Sequence, residues 1–244
     1  MTAQLPPIAL LAGGLATRLR PITEKIPKAL VDIAGEPFIS HQLRRLKEQG
    51  LDRAVLCLGY LGEQVEEFVG RGDQFGLSVT YSYDGDKLLG TGGAIRKALP
   101  LLDDVFYVSY ADTFLDVSYR DVYQVFLDNP ENKGLLTVYR NQNQWGLSNV
   151  LFQEGQLLAH SKRRPISEMQ HIDYGLSLFK KIAFKEWLGT INIQDSPELN
   201  DAFTFLIERG EMLGYEVEKR FYEIGTPERL DETIAFLRSR PSIG

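Results

Sequence analysis

The fold of this chain is decided by residues 8–30, IALLAGGLATRLRPITEKIPKAL. The run Ile8–Ala12 is short, continuous and apolar, and it stops at Gly13-Gly14, as a buried parallel strand does. Cations follow at Arg18, Arg20, Lys25 and Lys28. Between residues 13 and 30 these four cations face one anion, Glu24, a local +3 on a chain of formal net charge −6. Glycines let backbone N–H groups approach an anion with no side chain in the way. Open α/β sheets bind ligands beyond the carboxyl ends of their strands, which is where this loop must lie. Pro21 and Pro27 stiffen the segment and hold Arg18 and Lys28 in place. Together the features describe a triphosphate cradle.

Outward from the cradle, strand-like and helix-like segments alternate. Phe38, Ile39, Leu43 and Leu46 recur at helical spacing, with Arg44, Arg45, Lys47 and Glu48 on the other face and Gly50 at the C-terminal cap position. Ala54–Leu58, Leu77–Tyr83 and Val105–Tyr110 read as strands, and Leu61–Val69 and Gly93–Leu99 as helices. This alternation through residue 128 predicts an α/β fold with a mostly parallel central sheet covered on both faces, a Rossmann-like three-layer α/β/α arrangement. In the second half, Gly134–Tyr139 and Asn149–Phe152 read as strands and Glu154-Gly155 as a turn. Ser196-Pro197-Glu198 has the cap and first-turn signals of a helix running to about Arg209, and Thr226-Pro227-Glu228 starts a final amphipathic helix. Asp116 is expected to cap a helix of its own. The organisation is read as one domain over residues 1–244, with a nucleotide-binding half (1–130) and a second half (131–244) that completes the pocket.

Composition sets the outer bounds. The chain has 244 residues, 43% of them hydrophobic and 25% charged, which excludes disorder and collagen-like repeats. One cysteine, Cys57, excludes a disulfide framework and a four-cysteine metal site, and suits a reducing compartment. Net negative charge argues against generic binding to nucleic acid or anionic membrane. The N-terminus lacks the basic start of a secretory signal, and no apolar run approaches the roughly 20 residues that span a bilayer, so a cytoplasmic location is expected. His41, His160 and His171 show no metal-ligand spacing, and His41 reads as structural within its helix. The segment Gly90-Thr91-Gly92-Gly93-Ala94-Ile95 is not a dinucleotide fingerprint, because its sixth position is Ile95 and no strand runs into its first glycine. That disfavours an NAD-dependent oxidoreductase. No Walker A, G-x-S-x-G or H-E-x-x-H motif occurs.

The ordered string Gly13, Gly14, Thr17, Arg18, Leu19, Pro21, Thr23, Pro27, Lys28, Ala29, Leu30 resembles the signature of the sugar-1-phosphate nucleotidylyltransferases. Ala16 stands where many members have glycine. Weaker pieces extend the resemblance to about residue 230. Leu89-Gly90-Thr91-Gly92-Gly93-Ala94 is similar to a segment whose backbone lies against the nucleobase. Ala111-Asp112 is similar to the segment carrying a metal-binding aspartate. Ser161-Lys162 falls where the family has a glutamate–lysine pair that touches the sugar phosphate, with serine replacing the glutamate. In His171-Ile172-Asp173-Tyr174-Gly175-Leu176, Asp173 takes the place of a common asparagine in a segment facing the sugar. Glu223-Ile224-Gly225-Thr226 resembles a D-x-G-T segment, with glutamate for aspartate.

The resemblance implies a nucleotide-diphospho-sugar transferase fold and transfer of a nucleoside monophosphate from a nucleoside triphosphate to a sugar 1-phosphate. It implies Arg18 and Lys28 as catalytic residues, Leu11, Ala12, Gly13, Gly14, Thr17, Gly90 and Thr91 at the nucleotide, Lys162, Asp173 and Gly175 at the sugar phosphate, and Asp112 and Glu223 on Mg²⁺. The overall look is most similar to D-glycero-D-manno-heptose 1-phosphate guanylyltransferases, which implies GTP with a heptose or hexose 1-phosphate. Uridylyl, cytidylyl and thymidylyl transfer stay open at this stage, as does a homodimer. A non-catalytic nucleotide-sugar-binding regulatory protein on the same fold is the alternative, disfavoured because Arg18, Lys28 and Asp112 are all present. No hexapeptide repeats appear, so a second, acyltransferase activity is not expected.

Overall fold

The computed structural model describes residues 4–192 and 196–240. Strand β1 (Ile8–Ala12) leads through short 3-10 turns and a two-residue ribbon, β2 (Asp32–Ile33) and β3 (Glu36–Pro37), into α1 (Phe38–Glu48). Next come β4 (Arg53–Leu58), α2 (Gly62–Val69), β5 (Ser78–Tyr83), α3 (Gly90–Ala98), β6 (Val105–Tyr110), β7 (Thr113–Phe114) and α4 (Tyr119–Asp128). The second half comprises β8 (Gly134–Arg140), a hairpin of β9 (Val150–Gln153) and β10 (Gln156–His160), β11 (His171–Lys180), α5 (Lys181–Leu188), α6 (Leu199–Glu208), β12 (Met212–Val217), β13 (Tyr222–Glu223) and α7 (Pro227–Ser239).

Among the described residues, nine strands form the main sheet. The first half contributes β5, β4, β1 and β6 in that spatial order, all parallel. The long β11 then runs antiparallel between β6 and β8, β12 joins β8 in parallel, and the β9–β10 hairpin attaches at the start of β11. The expected α/β architecture with its parallel core is therefore present, and the less regular second half is where antiparallel pairing enters.

Period-2 alternation assigns the two faces of the sheet. Ile8 and Leu10 of β1, with Ala54 and Leu56 of β4, point into one core, where Leu43 of α1, Val65 of α2 and Val122 of α4 cover them. Ala9, Val55 and Cys57 point into the other, closed by Ile95 of α3, Phe184 and Trp187 of α5 and Phe203 of α6. Helix α7 closes a third, smaller cluster over Ile33, Phe38, Phe114 and Ile224.

Local signals mostly hold. Gly50, at φ +86°, sits just past α1. Thr226 caps α7 through its hydroxyl, with Pro227 in the first turn. Two expectations are corrected. Helix α6 starts later than Ser196-Pro197 implies: Glu198 is its N-cap, in a capping box with Asp201, because the Pro197 carbonyl is engaged by Gly92 N–H at 2.8 Å and Gly93 N–H at 3.2 Å. Asp116 caps nothing; Ser118 caps α4, and Asp116 pairs with Arg45 at 2.9 Å and Lys219 at 3.0 Å.

Candidate active site

The carboxyl ends of β1, β4, β5 and β6 open onto one edge of the sheet. Strand order reverses beside β1: the chain moves outward through β4 and β5, then returns to β1's other side as β6. Such a reversal leaves a crevice above the sheet. A cavity of about 520 Å³ lies there, lined by Leu11–Arg18, Lys28, Asp84, Gly90, Thr91, Tyr110, Asp112 and Glu198 among others. Ten of the fourteen site residues that the sequence picks out thus line one cavity: Leu11, Ala12, Gly13, Gly14, Thr17, Arg18, Lys28, Gly90, Thr91 and Asp112; Glu223 lies beside it.

The glycines of the cradle have different reasons. A methyl group on Gly59 would lie 2.6 Å from the Gly13 carbonyl oxygen, so the ends of β1 and β4 meet backbone to backbone. A methyl group on Gly14 would meet no atom within 4 Å. No protein atom requires glycine at 14, and its bare backbone faces open space. Ala16 adopts the left-handed conformation, φ +47°, and its carbonyl accepts the Thr23 hydroxyl at 2.8 Å. The site therefore keeps the turn for which glycine is the easier residue.

Lys28 and Asp112, 84 positions apart, meet at 2.6 Å. The Lys28 side chain is 15% exposed and that of Asp112 is 34% exposed, so the pair is sheltered yet open to the cavity. Thr113 Oγ1 donates to the other Asp112 oxygen at 3.0 Å. Glu223 is brought beside Asp112 by the β13–β7 pairing, in which Glu223 faces Thr113 and Ile224 N–H donates to the Asp112 carbonyl at 3.0 Å. Arg18 converges on the same place: a methyl group on Gly225 would lie 3.3 Å from Glu223 Oε2 and 3.5 Å from an Arg18 guanidinium nitrogen. Burial first, and then the charge of Asp112, raise the Glu223 carboxyl above its usual range.

Two carboxylates that repel across such a gap fit a divalent cation. Among the described residues no group of three or more acidic, His or Cys side chains forms a closed metal cage. A two-carboxylate site suits Mg²⁺, which keeps several waters and takes phosphate oxygens as further ligands.

Lys162, Asp173 and Gly175 do not line the cavity. They gather one layer away, joined to it by Tyr110. Lys162 Nζ is 3.6 Å from Asp173 Oδ2. Gly175 N–H donates to Asp173 Oδ1 at 2.9 Å, and a methyl group on Gly175, at φ +101°, would lie 3.8 Å from Leu115, Thr113 and the Tyr110 ring. Sequence reasoning missed Tyr110, Asp84 and Glu198. Asp84 follows β5 and accepts Leu89 N–H at 3.2 Å, with burial raising its carboxyl. Glu198 accepts the Thr91 hydroxyl at 2.6 Å, and that same hydroxyl accepts Leu199 N–H at 2.7 Å. For Asp84 the position just past a strand was an available signal; for Glu198, 107 residues from its partner, none was.

The fold and this site define an α/β protein with a cavity at the carboxyl ends of its parallel strands. The chain belongs to the nucleotidyl transferase family, whose model matches residues 8–240. It is similar to N-acetylmuramate alpha-1-phosphate uridylyltransferase of Neisseria meningitidis serogroup B, 37% identical over 124 residues, covering 50% of this chain and 54% of that protein. It is also similar to the mannose-1-phosphate guanylyltransferase catalytic subunit beta of Xenopus tropicalis, 24% identical over 223 residues, covering 89% of this chain and 61% of that protein. The chain thus spans between half and two thirds of the length of these curated relatives. Among solved structures, UDP-glucose pyrophosphorylase from Acinetobacter baumanii shares the fold with a TM-score of 0.78 at 16% identity, covering 98% of this chain and 96% of that one. HddC from Yersinia pseudotuberculosis does so with a TM-score of 0.75 at 22% identity, covering 96% and 100%. No helix among the described residues is long and apolar enough to cross a membrane.

Proposed function

We propose that this chain transfers a nucleoside monophosphate from a nucleoside triphosphate to a sugar 1-phosphate. The observation that carries the reading is the meeting of Lys28 and Asp112 at 2.6 Å in a cavity whose floor is the Gly13-Gly14 backbone. A phosphate oxygen of the sugar 1-phosphate attacks the α-phosphorus, a P–O bond forms, the bond to the β-phosphate breaks, and pyrophosphate leaves. The nucleophile needs no strong base, because the second ionisation of a phosphate monoester lies near 6 and the acceptor is largely dianionic at neutral pH. The difficulty is bringing two polyanions together, so positioning and charge neutralisation supply most of the rate. That accounts for a site of arginine, lysine and carboxylates with no histidine among its lining residues.

In this reading Gly13 and Gly14 receive the triphosphate, Arg18 steadies it and the departing pyrophosphate, and Lys28 bridges the α-phosphate and the acceptor phosphate. Gly90 and Thr91 flank the base. Asp112 and Glu223 hold Mg²⁺, which when bound neutralises charge at the reacting phosphates. Residues 1–130 handle the nucleotide, and 131–244 the sugar phosphate through Lys162, Asp173 and Gly175. GTP with a hexose or heptose 1-phosphate is the first pair to try, supported by the guanylyltransferase relative; the uridylyltransferase relative makes UTP the second. A cytoplasmic location is supported by the lone, buried and unpaired Cys57.

The test is pyrophosphate release across a matrix of nucleoside triphosphates and sugar 1-phosphates with Mg²⁺. Arg18→Ala and Lys28→Ala should each lower turnover about 10²–10³-fold, the usual loss for one preorganised charge-stabilising donor. Both sit in short 3-10 turns outside the three packed cores, so folding should survive. Near-wild-type rates in folded variants would remove them from the reaction.

A further inference from the structure

Tyr110 ends β6, one residue from the Ala111-Asp112 turn, and lines the nucleotide cavity. It is also the cavity residue that reaches the Lys162–Asp173 cluster. Lys162 Nζ lies over the Tyr110 ring, 5.5 Å from its centroid. Asp173 approaches the same ammonium from β11 at 3.6 Å. The two partners differ in access. Asp173 has 4% of its side chain exposed, whereas Lys162 keeps 42%. A ligand can therefore reach the lysine but not the carboxylate.

Of the two Asp173 oxygens only one is hydrogen-bonded, and buried Oδ2 has no hydrogen-bond partner. Oδ1 accepts Gly175 N–H at 2.9 Å. Oδ2 faces Lys162, with His160 Nε2 behind it at 3.8 Å. The His160 side chain is fully buried, and neither ring nitrogen has a hydrogen-bond partner. Burial pushes its imidazole down to about 4, so it stays neutral and leaves the Asp173 charge to Lys162. Ser161, beside Lys162 in sequence, supplies no anion; its hydroxyl accepts Arg164 N–H at 3.1 Å.

We propose that Tyr110 and Asp173 are positioning residues that hold Lys162 beside the cavity to receive the phosphate of the acceptor. The acceptor half of this statement rests on the proposed nucleotidyl transfer; the holding of Lys162 does not. Burial opposes the charge of Lys162, but Tyr110 and Asp173 outweigh it and keep the ammonium above the ordinary lysine range. The arrangement also ties the two substrates together, since Tyr110 touches the nucleotide cavity and its partner lysine touches the acceptor.

Two measurements test this on the full chain. The first is labelling of Lys162 by an amine-acylating reagent at fixed pH, read by peptide mass spectrometry. Asp173→Asn should speed labelling about tenfold, the effect of one pKa unit, and Tyr110→Phe should act in the same direction. Unchanged labelling in both variants overturns the holding of Lys162, whatever the enzyme does. The second is steady-state kinetics. Each variant should raise the KM for the sugar 1-phosphate about tenfold or more, the scale of a lost hydrogen bond to a charged group, while the KM for the triphosphate stays within about twofold. In a Lys162→Met background Tyr110→Phe should add nothing further. A rise in the triphosphate KM instead, or full additivity with Lys162→Met, overturns the acceptor assignment. If Asp173→Asn does not fold, Tyr110→Phe, which keeps the ring, carries both measurements. A wild type that turns over no substrate pair sinks the function and with it the acceptor half, and the labelling still decides whether the two residues hold Lys162.

Discussion

At Gly14 the residue type answers to nothing in the protein. A methyl group there would meet no atom within 4 Å, and the backbone lies outside the left-handed region. Gly14→Ala should keep or slightly raise the melting temperature, as a compatible Gly→Ala change adds about 0.4–1 kcal/mol through the unfolded state. It should still cut turnover about 10²-fold, because displacing the triphosphate by 1 Å spoils its alignment. Gly59→Ala is the contrast. Its methyl group would sit 2.6 Å from the Gly13 carbonyl, and it should lower stability by about 1–3 kcal/mol in a denaturant titration. Glu223 carries a different test. Its carboxyl is raised by burial and by Asp112, so the folded state holds its proton more tightly than the unfolded chain does. Stability is then lost as pH rises through the folded-state pKa. Without added metal, Glu223→Gln should therefore melt higher than wild type at pH 7. The gap should close below the ordinary glutamate range, where the unfolded carboxyl is protonated too. Saturating Mg²⁺ should raise the wild-type melting temperature more than that of Asp112→Asn or Glu223→Gln. Coincident melts at pH 7 would show that Glu223 is under no repulsion.

One side of the cavity is closed by the pair of helix starts at α3 and α6. Gly92 and Gly93 donate to the Pro197 carbonyl, and a methyl group on Gly92 would lie 2.6 Å from the Trp187 ring. These glycines are required by helix packing as much as by any ligand. Thr91 joins the two helices with one hydroxyl, donating to Glu198 and accepting from Leu199 N–H. Thr91→Ala should cost about 1–3 kcal/mol, since it strands two partly buried groups. Thr91→Ser should restore most of that loss. Equal denaturant midpoints for wild type and Thr91→Ala would mean that water replaces the bridge. The helix starting at Gly90 was half legible. The glycines mark a turn, but that the helix begins among them depends on Pro197, which contacts them only in the folded chain.

For the molecule as a whole, Cys57 is a reporter placed by the fold. It lies in β4 between β1 and β5, 1% exposed, and burial pushes its thiol up to about 12. A thiol that is neither ionised nor accessible does not react. Labelling by a thiol reagent should therefore follow global unfolding and accelerate with denaturant in step with loss of the native signal. Fast labelling under native conditions would reveal local opening of the central sheet. Cys57→Ala should preserve turnover at a small stability cost, because cysteine acts here as a small apolar side chain.

The strands of the first half, the amphipathic faces of α1 and α2, the caps of α1 and α7 and the cation-rich loop after Gly13-Gly14 were all legible in the sequence. Each depends on neighbours within a few positions, where periodicity, glycine conformation and proline rigidity act. The meeting of Lys28 with Asp112, the approach of Glu223 to Asp112 through β13 and β7, and the Thr91–Glu198 bridge span 84 to 111 positions. Local chemistry leaves such distances open, and the order and direction of the strands set them. Tyr110 shows the difference most plainly. In the sequence it is one more aromatic in an apolar strand. Placed at the end of β6, between the cavity and a strand running the other way, it becomes the contact between the cavity and the Lys162–Asp173 cluster. The reason is physical: a strand fixes which face a side chain takes, but only its neighbours in the sheet decide what that side chain touches.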